Sequence, residues 1–237
     1  MPLILGLDPS IKKAGYCILD SSAPYDTLVS RGRLKTSGAD GILVQKLILQ
    51  ADRIKGLILN NNIAMVSMEA PYFGGNESEH LFALNQFLHR VFIETGAYVL
   101  TFPPQQMKVL AVPDKKAQDI SKPQMIGEAK SRYHLQGKPL PDDEADALHA
   151  GHLGKLFYNW FFTKKLSDSE LHPRILDAFA GKKTYTKGLR KGTSDYYGLI
   201  YRENELFFDF KAIVERKEFY GRKEAGPIES DSDISIP

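Results

Sequence analysis

The chain has 237 residues, 43% of them hydrophobic and 25% charged, and a formal net charge of +2. That length accommodates one large domain, or a core of roughly 150 residues plus an appendage, and the composition is not that of a disordered or membrane chain. A balance so near neutral says nothing about a polyanionic partner. The single cysteine, Cys17, rules out an intramolecular disulfide and a Cys-based zinc site and points to a reducing compartment, the cytoplasm. Cys17 itself reads as a small core residue. The opening Leu3-Ile4-Leu5 run is too short and lacks the basic start of a signal peptide. No stretch reaches the ~18 apolar residues of a membrane-spanning helix, so no membrane partner is expected.

Leu3 to Leu7 is a short apolar run that reads as a first strand, ended by Asp8-Pro9-Ser10. Ala14 to Leu19 reads as a second strand and Leu28 to Gly32 as part of a third, with Asp20-Ser21-Ser22 as the turn between them. Ile42 to Asn60 has apolar residues near helical spacing: Leu43, Leu47, Leu49, Ile54, Leu57 and Ile58. Ile63 to Met68 is a buried strand that delivers Glu69 at its end. A helix from about Ser78 to Thr95 follows, with an apolar face of Leu81, Leu84, Leu88 and Phe92 that suits either the core or a dimer surface. Tyr98 to Phe102 is the next strand. Short helices are predicted over Gln105 to Val112 and Lys122 to Tyr133, the second with Pro123 in its first turn. Pro139-Leu140-Pro141 is a stiff lead-in, and Asp142-Asp143 is predicted to cap a helix from Glu144 to Leu156.

This order predicts an α/β fold with a mixed five-stranded sheet flanked by helices over residues 1–160. The character changes near residue 160, and residues 161–225 read as an α+β extension. Gly181 to Gly192 is rich in Lys and Gly, and Tyr196 to Phe210 alternates like a hairpin turning at Arg202-Glu203-Asn204. Residues 226–237 are acidic and Ser-rich and read as a disordered tail.

Four acids stand out by position. Asp8 and Glu69 each end a strand, and Asp143 and Asp146 are three apart on one face of a helix. If the two strands are neighbours and the helix packs over the same edge, the four carboxylates converge, and they would repel unless cations neutralise them. Oxygen donors of this kind suit Mg²⁺ or Mn²⁺ rather than zinc. Two such ions about 4 Å apart activate a water and stabilise the leaving oxygen of a phosphodiester.

Three segments carry a family resemblance. Ile4-Leu5-Gly6-Leu7-Asp8-Pro9-Ser10 with Ala14-Gly15-Tyr16, Met68-Glu69-Ala70-Pro71-Tyr72-Phe73 with its Gly-Gly-Asn, and Asp143-Glu144-Ala145-Asp146-Ala147-Leu148 resemble, in order, three motifs of the RuvC Holliday-junction resolvases. The resemblance covers roughly two thirds of the chain, to about residue 157. It implies a ribonuclease H-like core and Asp8, Glu69, Asp143 and Asp146 as catalytic acids holding two Mg²⁺, with Mn²⁺ as a substitute. It also implies a homodimer acting on four-way DNA junctions and a 5′ phosphate product. Tyr72 or Phe73 matches the family's junction-contacting aromatic, and Lys108 and Lys122 fall where the family has DNA-contacting lysines. Pro9-Ser10 departs from the usual Pro-Gly, the loop Pro71 to His80 differs in detail, and about 80 residues extend past the family core, which suggests a bacteriophage member. In that extension Lys182, Lys183, Lys187, Arg190 and Lys191, interleaved with Tyr185, read as a DNA-clamping segment. Two alternatives stay open: a general branched-DNA or flap-debranching nuclease, and an actin-like ATPase on the related fold. The second would need a Gly-rich phosphate loop that the sequence lacks.

Overall fold

The computed structural model describes residues 2–23, 27–69, 78–102 and 104–179, residue 191, and the short segments 182–184, 194–196, 200–202 and 205–207. The chain opens with β1 (Leu3–Asp8), β2 (Lys13–Asp20) and β3 (Thr27–Lys35), then α1 (Leu43–Asn60), β4 (Ile63–Glu69), α2 (Ser78–Thr95) and β5 (Tyr98–Phe102). Three helices follow, α3 (Pro104–Ala111), α4 (Lys122–Arg132) and α5 (Asp142–Phe157), and then α6 (Pro173–Phe179). The extension adds β6 (Lys182–Thr184), β7 (Ser194–Tyr196), β8 (Ile200–Arg202) and β9 (Glu205–Phe207).

The core sheet runs in the order β3-β2-β1-β4-β5, and the hairpin β8–β9 continues it beyond β5. β1 is antiparallel to β2 and β2 to β3, whereas β1 and β4, and β4 and β5, are parallel. This is the mixed five-stranded sheet expected from the sequence. The expected hairpin is present as β8 and β9, with Arg202 paired to Glu205, and β6 and β7 form a separate two-stranded ribbon.

Alternation along the strands sorts side chains to two faces. Leu5, Leu7, Ile18, Val66, Met68 and Val99 pack under α1 and α2, whose inward residues include Leu47, Ile54, Ile58, Leu84, Leu88 and Phe92. Leu84, Leu88 and Phe92 of the apolar face of α2 are therefore core, whereas Leu81 is half-buried. Ile4, Cys17, Leu19, Met65, Leu100 and Phe102 face the other way, against α5 and the helices around it. Each fully buried Leu or Ile here contributes ~1.5–3 kcal/mol. The α5-side core runs past residue 160: α5 passes into a π-helical turn, Tyr158–Phe162, and Trp160, Leu171, Ile175 and Phe179 join the same cluster. Phe157 meets Phe179 edge-on at 5.1 Å and Phe161 stacked at 5.3 Å.

α5 lies unusually close to the sheet. A Cβ on Gly6 would come within 2.1 Å of the Ala147 carbonyl oxygen, and one on Gly15 within 2.0 Å of the Asp143 carbonyl oxygen. The two glycines let the helix backbone rest directly on β1 and β2. The buried Cys17 thiol donates to the Ala147 carbonyl at 3.2 Å, so it is a core residue, as expected. No helix among the described residues is long and apolar enough to cross a membrane.

Candidate active site

The register places the first two acids side by side. Leu7 of β1 is opposite Met68 of β4, so the next residues, Asp8 and Glu69, end adjacent parallel strands. Both continue the alternation of Ile4-Gly6 and Met65-Ser67, which puts them on the face covered by α5. The same face receives the N-terminal end of α5, which carries Asp143 and Asp146.

α5 begins differently from the capped start expected. Pro141, with φ −61° and ψ 155°, is the last extended residue and makes no side-chain cap; the Asp143 carboxylate accepts from the Glu144 amide at 2.9 Å instead. Asp142 and Asp143 lie inside the first turn, where acids meet the positive end of the helix dipole. Asp142 pairs with Lys122 at 2.7 Å, and Asp143 lies 3.8 Å from the Arg33 guanidinium.

The electrostatics show which acids share a site. Burial raises the Asp8 carboxyl to about 8, reinforced by the charges of Asp146, Glu69, Asp143 and Asp142. Glu69 is raised to about 7, by burial first and Asp146 second, against the opposing pull of Lys108. Asp146 is raised to about 6 by burial, which outweighs the pull of Lys122 and Lys108, with Asp142 and Asp143 pushing it further up. Asp8, Glu69 and Asp146 are one coupled group of carboxylates, with Asp143 and Asp142 at its border. Among the described residues no three His, Cys, Asp or Glu side chains form a ready-made metal-ligand set. The donor chemistry nonetheless suits a hard divalent cation: carboxylate oxygens only, each poorly solvated and repelled by its neighbours.

Lys122 and Lys108 both stand close enough to attract these acids. Tyr72, Phe73, Lys187 and Arg190 lie outside the described residues. Lys182 and Lys183 lie on β6, opposite Tyr196 and Asp195, and Lys191 is exposed.

Three residues that sequence reading did not single out hold the helix in place. Glu144 is buried, 7% exposed, and is ion-paired to Arg31 and to Arg33 of β3, the latter at 3.5 Å. Arg31 also donates to the Pro139 carbonyl at 3.0 Å. The Arg-Gly-Arg spacing in β3 puts both guanidiniums on one face, a legible signal, but their partner lies 113 residues beyond Arg31. Deeper in α5, His149 is buried with its Nε2 2.9 Å from the Met125 carbonyl, tying α5 to α4.

Parallel strands ending in neighbouring carboxylates, with an acidic helix start packed over them on a mixed sheet, define a fold of the ribonuclease H-like class. A family model, "Crossover junction endodeoxyribonuclease RuvC", matches residues 4–151. The chain belongs to that family, whose members are structure-selective DNA endonucleases. It is 30% identical over 149 residues to the crossover junction endodeoxyribonuclease RuvC of Orientia tsutsugamushi (strain Ikeda), covering 62% of this chain and 90% of that one. It is 25% identical over 150 residues to the RuvC of Prochlorococcus marinus (strain MIT 9313), covering 61% and 92%. Two Thermus thermophilus structures share the fold. RuvC alone has a TM-score of 0.55 at 19% identity, over 63% of this chain and 90% of that one. RuvC in complex with a Holliday junction substrate has a TM-score of 0.54 at 17% identity, over 69% and 98%.

Proposed function

We propose that the chain resolves four-way DNA junctions by divalent-metal-dependent phosphodiester hydrolysis, acting as a homodimer in a bacterial or phage-infected cytoplasm. The observation that carries this reading is the coupled set of poorly solvated carboxylates, Asp8, Glu69 and Asp146, bordered by Asp143, in a member of the crossover junction endodeoxyribonuclease family. These four residues would hold Mg²⁺, two ions in the full reading, with Mn²⁺ as a substitute. When bound, the metal lowers the pKa of an attacking water and stabilises charge on the leaving oxygen.

The protein's own groups have separable tasks. Strand ends β1 and β4 hold Asp8 and Glu69 in fixed register. The Arg31–Glu144–Arg33 cluster and the close packing at Gly6 and Gly15 fix the height and rotation of α5, and with it Asp146. Lys108 and Lys122 draw DNA phosphates toward a site that would otherwise repel them. Tyr72 or Phe73 would contact bases at the crossover, and the lysine-rich segment 182–191 would clamp an arm of the junction. The nuclease core, expected over residues 1–160, also takes in α6, since Leu171, Ile175 and Phe179 share its cluster, and the remainder of 161–225 would be the appendage.

The test is a substrate panel: a synthetic four-way junction, a flap and a linear duplex of matched sequence, with Mg²⁺ or with EDTA. Paired nicks on the junction alone, only with Mg²⁺, are expected. Equal cleavage of flap and junction would replace this reading with a general debranching nuclease.

A further inference from the structure

Lys108 and Lys122 belong to α3 and α4, on the α5 side of the sheet. The other side of the same edge carries a second group of cations. A cleft of about 350 Å³ opens there between the turn after β1 and the first turns of α1 and α2. It is lined by Lys12, Lys46 and His80 together with the apolar Ile11, Leu43 and Leu81.

The turn that forms one wall is held from two directions. The buried Gln50 side chain donates to the carbonyls of Ser10 and Leu34, each at 2.9 Å. Thr36 donates through its hydroxyl to the Ile11 carbonyl at 2.6 Å and through its amide to the Lys12 carbonyl at 3.0 Å. Lys12 is therefore fixed at its backbone only four residues beyond Asp8. Neither Lys12 nor Lys46 is within ion-pair distance of a described acid, although Lys46 exerts a longer-range pull on Asp40. Lys55, on the same helix, is by contrast paired to Glu94 at 2.7 Å.

A DNA strand crossing a cluster of carboxylates is repelled by it, so cations on one flank alone would pull it aside. Cations on both flanks hold it across the acids. The cleft volume suits one nucleotide, and its mixture of cationic and apolar walls matches a phosphate joined to a sugar. We propose that the cleft is a second strand-binding subsite. It takes one nucleotide of the bound DNA, with the phosphate among Lys12, Lys46 and His80 and the sugar against Ile11, Leu43 and Leu81. This inference rests on the reading of the chain as a DNA endonuclease.

The test uses the full chain and the double variant Lys12→Gln/Lys46→Gln, with Lys55→Gln as a control on the same helix. Four-way-junction binding is measured by fluorescence anisotropy in EDTA from 50 to 200 mM salt. The double variant should bind about 10-fold more weakly at mid-range salt, with a log Kd–log salt slope shallower by about 1, for the one phosphate no longer neutralised. Lys55→Gln should match the wild type. Wild-type affinity and slope in the double variant, beside a wild type that binds and cuts the junction, would overturn the subsite and leave the nuclease reading intact. A wild type that binds no branched DNA would overturn both. Titration with inorganic phosphate and with a single deoxynucleotide separates the remaining case. Micromolar binding of either, abolished in the double variant without change in junction affinity, would assign the cleft to a small ligand and overturn the subsite.

Discussion

The most informative perturbation is Asp8→Asn, because it separates the stability cost of the acid cluster from its use. Asp8 is raised from 3.8 to about 8, and each unit corresponds to ~1.4 kcal/mol. The folded protein therefore holds this proton more tightly than the unfolded chain does. Its stabilising contribution is complete below pH 4 and is lost as pH rises through about 8. At pH 7 the metal-free fold carries up to ~4 kcal/mol of this burden, shared with Glu69 and Asp146 because the three titrate together. Asparagine removes the charge but leaves a buried amide to satisfy, for a net gain of ~2 kcal/mol, or ~4–8 °C in Tm for a chain of this size. Thermal unfolding in EDTA at pH 5 and pH 8 reads this directly. The wild type should lose stability between the two, and Asp8→Asn should be more stable at pH 8 and lose less, keeping only the part that Glu69 and Asp146 contribute. Mg²⁺ should raise the wild-type Tm most at pH 8 and that of the variant far less. A wild type whose stability in EDTA is flat or rises from pH 5 to 8 would refute the repulsive, poorly solvated cluster.

Glu144→Ala leaves Arg31 and Arg33 facing a vacated, mostly buried site and should cost ~3 kcal/mol in urea unfolding, with activity falling because α5 is no longer held in place. Gly6→Ala drives a methyl into the Ala147 carbonyl and should cost a similar ~3 kcal/mol, measured by the same unfolding. Burial lowers the His149 imidazole to about 4, so its contribution is present above pH 6.5 and lost as pH falls toward 4, up to ~3 kcal/mol. A His149→Gln variant should lose that acid-side decline in a pH series of unfolding midpoints. Lys122→Ala and Lys108→Ala should each lower the salt slope of junction binding by about 1, read by the same anisotropy series.

Much of this site was legible because strand ends and helix starts are local signals. The apolar runs Leu3–Leu7 and Ile63–Met68 marked two strands, and the residue after each was an acid. The pair Asp143 and Asp146 needed only helical spacing. Convergence was legible only through the resemblance, since the Leu7–Met68 register is set by long-range pairing that no short window contains. The start of α5 was misjudged because Asp at a helix start favours the cap position. Here Pro141 takes that place, and the acids pair with Lys122 and Arg33 instead. The short helix α6 and the π turn of residues 158–162 went unread because the aromatic packing of Phe157, Trp160 and Phe179 dictates them, not periodicity. Arg31 and Arg33 were not singled out because their common partner is Glu144, 113 residues beyond Arg31.

The most direct test of the central claim is cleavage of a four-way junction by the wild type, Asp8→Asn and Asp146→Asn in Mg²⁺, with junction affinity measured alongside in EDTA. Symmetric paired nicks by the wild type, absent in both variants although each binds the junction at least as tightly, are the predicted result. Undiminished nicking by either variant, or a folded wild type that binds the junction and leaves it uncut in Mg²⁺ and in Mn²⁺, would contradict it.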